Sequence, residues 1–257
     1  MEYLRHWGLH DKPFLNAYSS FFFAAATQRE SIAGLSYFAG SRFSTAFLVA
    51  EPGCGSTYLL NHISRLNGMG DCATEVVVTR QTRGDCAAVA DGLADALGIR
   101  QTIADVGAIG LDLAIEACDR EGVRLIWCID ELDPCSFGTA RNLLASHKNL
   151  RVVFSATPES CSKYEHACRH PSMRIDLDAI GLDDVVEYVE KGIEFAGGTR
   201  QLFDDNAKVR ISELSEGRIA QVAHLAESAL CLAAQYNMSC VSSSVIEGTL
   251  DQVARAA

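Results

Sequence analysis

Apolar residues gather in short, nearly continuous runs at 45–50, 75–79, 125–130 and 152–156, with a fifth, weaker run at 173–177. Runs of this length, without polar alternation, suit strands of a parallel sheet covered on both faces. Between them the apolar spacing changes to three and four, which predicts helices over 57–66, 85–97, 106–120 and 137–146. Gly98 and Gly122 stand where the second and third of these helices should stop. Strand and helix thus alternate, the pattern of βαβ units and an α/β fold. Beyond about residue 180 the strand signal is lost. Amphipathic helices are predicted over 182–195, 204–215, 218–236 and 243–256, with Gly197-Gly198 closing the first. Asp183 and Asp204 lie near helix starts, where a carboxylate can cap free N–H groups. The predicted organisation is an α/β core over residues 1–179 and a small helical domain over 180–257.

The densest chemistry follows the first strand. Residues 50–57 read Ala-Glu-Pro-Gly-Cys-Gly-Ser-Thr. A phosphate-binding loop has Gly-x-x-x-x-Gly-Lys-[Ser/Thr] between a strand and a helix. Pro52, Gly53, Cys54, Gly55 and Thr57 fill such a loop, but Ala50 replaces its first glycine and Ser56 its lysine. The glycines would let backbone N–H groups turn toward phosphate oxygens, and Thr57 would offer a hydroxyl to Mg²⁺. The cradle is kept and the cation is lost. Taken alone, the segment also suits an ordinary Gly-rich turn.

A second element favours the phosphate reading. The apolar run from Arg124 ends in Asp130-Glu131. The carboxyl end of a buried parallel strand is where ligands bind in open α/β sheets. Asp130 would join the Mg²⁺ shell and Glu131 would polarise water; the alternative is that Asp130 caps the helix near Pro134. Ser155-Ala156-Thr157 ends the next strand, where a hydroxyl, Thr157 among them, could sense a phosphate. Arg174 and Arg218 are candidate cations, Arg174 toward a neighbouring subunit and Arg218 toward phosphates. A surface salt bridge is the alternative for each.

These residues resemble AAA+ ATPases, most closely the general-secretion-pathway A (ExeA-like) group, related to the TniB and MuB transposition ATPases. The opening Tyr3…Trp7-Gly8-Leu9…Pro13-Phe14 is similar to that group's start, and Phe21-Phe22-Phe23, then Arg29-Glu30 and a helix, to its next segment. Tyr188, Phe195-Ala196-Gly197, Phe203 and Ser215-Glu216-Gly217-Arg218-Ile219 resemble its lid. The resemblance implies a P-loop NTPase (AAA+) three-layer sandwich with a five-stranded parallel sheet and a helical lid. It also implies ATP and Mg²⁺ as cofactors, Asp130 as the Walker B aspartate, Glu131 as catalytic glutamate and Arg218 as the sensor-2 arginine. The sensor-1 position falls around Ser155–Thr157. Gly217-Arg218 departs from the group in lacking an intervening proline.

Hydrophobic residues form 48% of the 257 residues and charged ones 21%, ordinary for a soluble protein. Lys and Arg number 22 against 33 Asp and Glu, a formal charge of −11. Such a field disfavours nucleic acid and anionic membranes as partners. The ten cysteines are scattered singly, which suits reduced, mostly buried thiols in a cytoplasmic protein. Residues 1–13 lack a signal peptide's apolar region, and 21–26 is too short to span a bilayer. Cys161, His166, Cys168 and His170 match no common zinc spacing. Phe21–Phe23 are expected to pack the N-terminal segment against the core.

The expected function is an ATP-binding AAA+-type regulator of a secretion or envelope assembly. Its hydrolysis is weak or absent, and it works as a homo-oligomer or with a protein partner. The alternatives are an active ATPase with a compensating cation and a DNA-associated transposition regulator.

Overall fold

The computed structural model describes residues 2–14, 21–66, 69, 73–80, 86–98, 104–168, 170–198 and 200–256. The chain divides into two compact units. An α/β unit comprises Gln28–Glu51 and Ser56–Leu177, and a helical unit comprises Met1–Thr27, Pro52–Gly55 and Asp178–Ala257. The N-terminal segment, expected with the α/β core, therefore groups with the helices.

In the α/β unit five parallel strands, β1 (Thr45–Ala50), β2 (Thr74–Arg80), β3 (Arg124–Asp130), β4 (Arg151–Ala156) and β5 (Met173–Leu177), lie in the order β2-β3-β4-β1-β5. Every residue of β1 and β4 is buried. One face carries Phe47, Val77, Trp127, Ile129 and Phe154, packed into one cluster with Leu93 of α4 (Cys86–Ala96), Ile115 of α5 (Ala104–Arg120), Phe137 of α6 (Pro134–Ser146) and Tyr164 of α7 (Pro158–Glu165). Trp127 is fully buried there, and its indole N–H donates to Thr79 Oγ1 at 2.8 Å, the partner a buried indole needs. The other face carries Ala46, Leu48, Cys128 and Val153. There α2 (Ala26–Gly40) packs closely, with Ser31 Oγ donating to the Asp176 carbonyl at 2.9 Å and Arg124 donating to the Ala39 carbonyl.

The predicted strands recur within one residue. Among the helices, α3 (Ser56–Ile63) ends three residues before its expected limit, and the expected first residue of α4, Asp85, lies outside the described residues. The third begins at Ala104 rather than Val106. The fourth, α6, begins at Pro134 because Asp133 accepts hydrogen bonds from the N–H groups of Cys135 and Ser136. Proline at the first helical position gives up no intrahelical bond. That cap also removes the alternative role for Asp130.

In the helical unit α8 (Leu182–Phe195) buries Val185, Tyr188, Val189, Gly192 and Ile193 along one stripe. With it lie α9 (Asp205–Ser215), α10 (Ile219–Gln235) and α11 (Ser243–Ala256). Asp204 caps α9 through the Ala207 N–H at 2.6 Å. Asp183 does not cap: Gly181 holds that place at α8 and Asp183 sits in the first turn. An isolated parallel bridge joins Phe203 and Val241, a pairing the helical pattern conceals. The N-terminal helix α1 (Glu2–Trp7) docks on α10. Trp7 Nε1 donates to the Leu230 carbonyl at 3.0 Å and Tyr3 donates its hydroxyl to the Glu227 carboxylate. Burial pushes the Glu227 carboxyl above its ordinary range, and the Tyr3 bond draws it back. Phe21 packs on Phe195 and Tyr188, at 5.2 and 6.0 Å between ring centroids, and Phe23 on Tyr188. These aromatics thus join the N-terminal segment to α8 of its own unit.

Gly217 shows how tightly this unit is built. Its φ is +71°, and a Cβ there would collide with the Ile180 carbonyl oxygen, while the Ile180 N–H donates to the Gly217 carbonyl at 2.9 Å. Gly217→Ala is expected to cost about 2–4 kcal/mol of stability through backbone strain and overpacking. Gly138→Ala in α6, where a Cβ meets nothing within 4 Å, is expected to gain roughly 0.5–1 kcal/mol. Urea unfolding of both variants beside the wild type checks the ordering.

Candidate functional site

The α/β unit contributes the carboxyl ends of β1, β3 and β4 and the start of α3. Asp130 closes β3 and is 4% exposed. Thr57, in the first turn of α3, donates its hydroxyl to Asp130 Oδ2 at 2.7 Å. The two side chains expected at a Mg²⁺ are therefore brought together. Burial, with the Asp130 charge beside it, pushes the Cys128 thiol up to about 12, so that sulfur stays protonated and inert.

Glu131 follows in the left-handed region at φ +68°, a backbone that a non-glycine residue seldom adopts. It is exposed, and the next N–H, of Leu132, donates to the Ser155 carbonyl at 3.0 Å. That bond ties the exit of β3 to the end of β4 and holds the turn in which Glu131 stands. Thr157 is engaged in helix structure: it is the N-cap of α7, its Oγ1 accepting from the Ser160 N–H at 3.3 Å. Arg174 on β5 is exposed and pairs with Asp176 at 2.7 Å, which raises its pKa further. Ser56 opens α3 and is half-buried.

The loop Pro52–Gly55 belongs to the helical unit and is described with it. Gly53 and Gly55 have φ of +91° and +100°, a conformation that favours glycine and turns successive N–H groups toward one side. Cys54 is buried. The Gly53 carbonyl accepts from the Ala220 N–H at 3.0 Å. A Cβ placed on Gly53 would meet Arg218 Cβ at 3.5 Å and Arg218 Cδ at 3.8 Å, so the stem of Arg218 runs along the loop. Arg218 is the N-cap residue of α10 and pairs with Glu216 at 2.7 Å. Both candidate arginines thus have a carboxylate two residues away in the chain.

Within the α/β unit, the hydroxyl of Thr57 and the carboxylate of Asp130 are oxygen ligands of the kind a divalent cation takes; within the helical unit, Gly53 and Gly55 have the backbone of an anion-binding turn. Position 56 supplies no charge. Sequence reasoning passed over Asp133 and Glu216. Asp133-Pro134 carried a readable signal, an acidic residue before a first-turn proline. The role of Glu216 depends on a left-handed backbone with no signature of its own. Cys54, Cys128 and Cys161 are buried, while Cys118, Cys135, Cys168, Cys231 and Cys240 are half-buried rather than buried as expected, and none of these is in a disulfide. Among the described residues, no three His, Cys, Asp or Glu are grouped to hold a metal ion. No helix among them is long and apolar enough to cross a membrane.

No protein-family model matches the sequence, and no curated protein does. Solved structures do match in fold. Drosophila ORC bound to DNA is similar over 97% of this chain and 65% of that one, with 15% identity and a TM-score of 0.68. This chain therefore spans just under two thirds of that ORC chain. The Aeropyrum pernix ORC2 protein, in ADPNP–ADP complexes, is similar over 93% of this chain and 72% of its own, at 11% identity and a TM-score of 0.63. The Thermotoga maritima RuvB Holliday junction branch migration motor is similar over 88% and 67%, at 14% identity and a TM-score of 0.54.

Thr57→Val leaves a buried Asp130 oxygen without its donor. It is expected to cost about 1–3 kcal/mol in the nucleotide-free protein, with Thr57→Ser near wild type; thermal unfolding of the two variants checks this. The five-stranded parallel sheet with its helices is the α/β fold of these ORC and RuvB structures, the AAA+ P-loop NTPase fold.

Proposed function

We propose that this protein binds ATP with Mg²⁺ and acts as a nucleotide-responsive regulator that hydrolyses ATP slowly or not at all. The observation that carries the reading is the 2.7 Å bond between Thr57 and Asp130. It pairs a hydroxyl and a carboxylate as a divalent cation requires, at the start of a helix that follows a glycine loop. In this reading Pro52, Gly53, Cys54, Gly55, Ser56 and Thr57 face the phosphates and Thr57 and Asp130 hold the cation. Glu131 orients water, Thr157 senses the phosphate, and Arg218 and, from a neighbouring subunit, Arg174 supply positive charge. Mg²⁺ would supply neutralisation of phosphate charge when bound. For Arg174 and Arg218 the cost is the loss of an existing ion pair; for Thr157 it is the loss of its cap on α7.

Ser56 decides the level of activity. Losing one charge-assisted contact to phosphate removes ~1.5–3 kcal/mol, or roughly ten- to a hundredfold in affinity. The loss in turnover is larger where the same charge answers the transition state. The setting we favour is a secretion or envelope assembly, with further copies of this chain or a protein partner, on the likeness of the opening and lid residues to the ExeA-like group.

A DNA-associated role is the second reading. Drosophila ORC, which shares the fold, is bound to DNA; the acidity of this chain weighs against nucleic acid, but the likeness does not support ruling it out. Fluorescence anisotropy with duplex DNA at about 0.1 M salt, where exposed charges are screened beyond roughly 10 Å, separates the two readings.

Calorimetry with ATP, with and without Mg²⁺, is expected to show binding strengthened by the cation, and a phosphate-release assay to show little turnover. Robust turnover abolished by Glu131→Gln would mean that another cation replaces the lysine. Ser56→Lys is expected to tighten Mg-ATP binding. Its rotamer entropy costs up to ~2 kcal/mol, less than a phosphate charge pair returns in a dry site. A larger thermal shift with Mg-ATP in Ser56→Lys than in the wild type is the expected result; an equal shift defeats the repair.

A further inference from the structure

The turn that brings Arg218 to the loop also carries Glu216, the carboxylate which that arginine already holds. Ser215 is fully buried, and its hydroxyl accepts from the Gly217 N–H at 3.2 Å. The Gly217 carbonyl accepts from Ile180, the Arg218 N–H donates to the Ser215 carbonyl at 2.9 Å, and the Ala220 N–H donates to Gly53. The backbone is fixed on both sides of Glu216. Glu216 itself stands at φ +51°, in a region that L side chains visit rarely, and such strain persists only where its surroundings impose it. Its carboxylate is 67% exposed and accepts from Arg218 Nη2 at 2.7 Å. The stem of the same arginine lies on Gly53.

We propose that Glu216 is a built-in competitor for phosphate: it occupies the guanidinium of Arg218 in the empty protein, and ATP must displace it to recruit that arginine. The inference rests on the nucleotide reading. A guanidinium fork satisfies one oxyanion well, so a carboxylate and a phosphate exclude each other there. The competition matters here because Ser56 brings no cation, while the stem of Arg218 lies on the loop. Glu216 positions Arg218 without itself touching the ligand. Its effect is bounded by the strength of an exposed ion pair, up to about fivefold in affinity.

The test is calorimetry of Mg-ATP with wild type, Glu216→Gln, Arg218→Ala and the double variant. Glu216→Gln is expected to tighten binding about three- to fivefold. Arg218→Ala is expected to weaken it roughly tenfold. In the Arg218→Ala background Glu216→Gln is expected to change affinity by less than about twofold, because the two residues act as one coupled pair. Equal tightening in both backgrounds would show that Glu216 repels phosphate directly, and overturns the proposal. Weaker binding in Glu216→Gln, as a structural role for the carboxylate predicts, overturns it too. Glu216→Gly, which the left-handed backbone accepts, must repeat the Gln result, and it decides the matter if the Gln variant does not fold. ATP bound by wild type with no gain in Glu216→Gln defeats the competitor alone. Failure of wild type and both Glu216 variants to bind ATP defeats the nucleotide reading itself.

Discussion

Burial of a parallel sheet on both faces governs the α/β unit. Strand β1 is buried from Thr45 to Ala50, and β4 from Arg151 to Ala156. Inside such strands the peptide groups are consumed by their neighbours, and a polar side chain without a partner would cost about 1–3 kcal/mol. Polar groups are therefore driven to the strand ends, and at the carboxyl ends of β3 and β4 they are Asp130 and Ser155. The same constraint explains why the fold is shared with chains only 11–15% identical. Apolar residues of suitable size exchange freely when volume and pattern are kept. The residue at the first turn of α3, Ser56, contributes little to that burial, so the fold is indifferent to whether it carries a charge.

The strands were legible to within a residue because continuous apolar runs have one physical explanation in a chain of this kind. The helices from 182 onward were legible because their stripes recur at three and four. The short helix α7 was not. It is eight residues long and mostly polar, with buried Cys161 and Tyr164 as its anchors, too few to set a period. The affiliation of the N-terminal segment was not legible either. It depends on contacts such as Tyr3 with Glu227 and Phe21 with Phe195, between residues far apart in the chain, and local pattern carries no record of those.

For the candidate site, residue types were readable and their engagements were not. The sequence offers Thr57, Asp130, Glu131, Thr157, Arg174 and Arg218 as candidates, with a surface salt bridge as the alternative for each arginine. The structure separates them by what each already does. Thr57 and Asp130 meet, Thr157 caps a helix, and the two arginines hold nearby carboxylates. Glu131 takes a left-handed backbone that no propensity assigns to it. A motif names donors and acceptors; hydrogen-bond competition decides which are free to serve a ligand.

Charge gives this competition its direction. The chain carries a formal −11, and a phosphate approaching it meets repulsion that only local cations offset. Ser56 puts no cation at the start of α3, and Arg174 and Arg218 are each offset by an exposed carboxylate. Exposed pairs are weak, about 0–1 kcal/mol, so they yield to a multiply charged oxyanion held close by backbone N–H groups. They do not yield to a dilute monovalent anion, which has no cradle to hold it. On the proposed reading, a loop that keeps its backbone and has its charge returned only when the Glu216–Arg218 pair opens would respond to nucleotide by switching partners. In that arrangement binding and partner exchange are one event, and a signal can pass from the loop to the start of α10 without the bond to the leaving phosphate being broken.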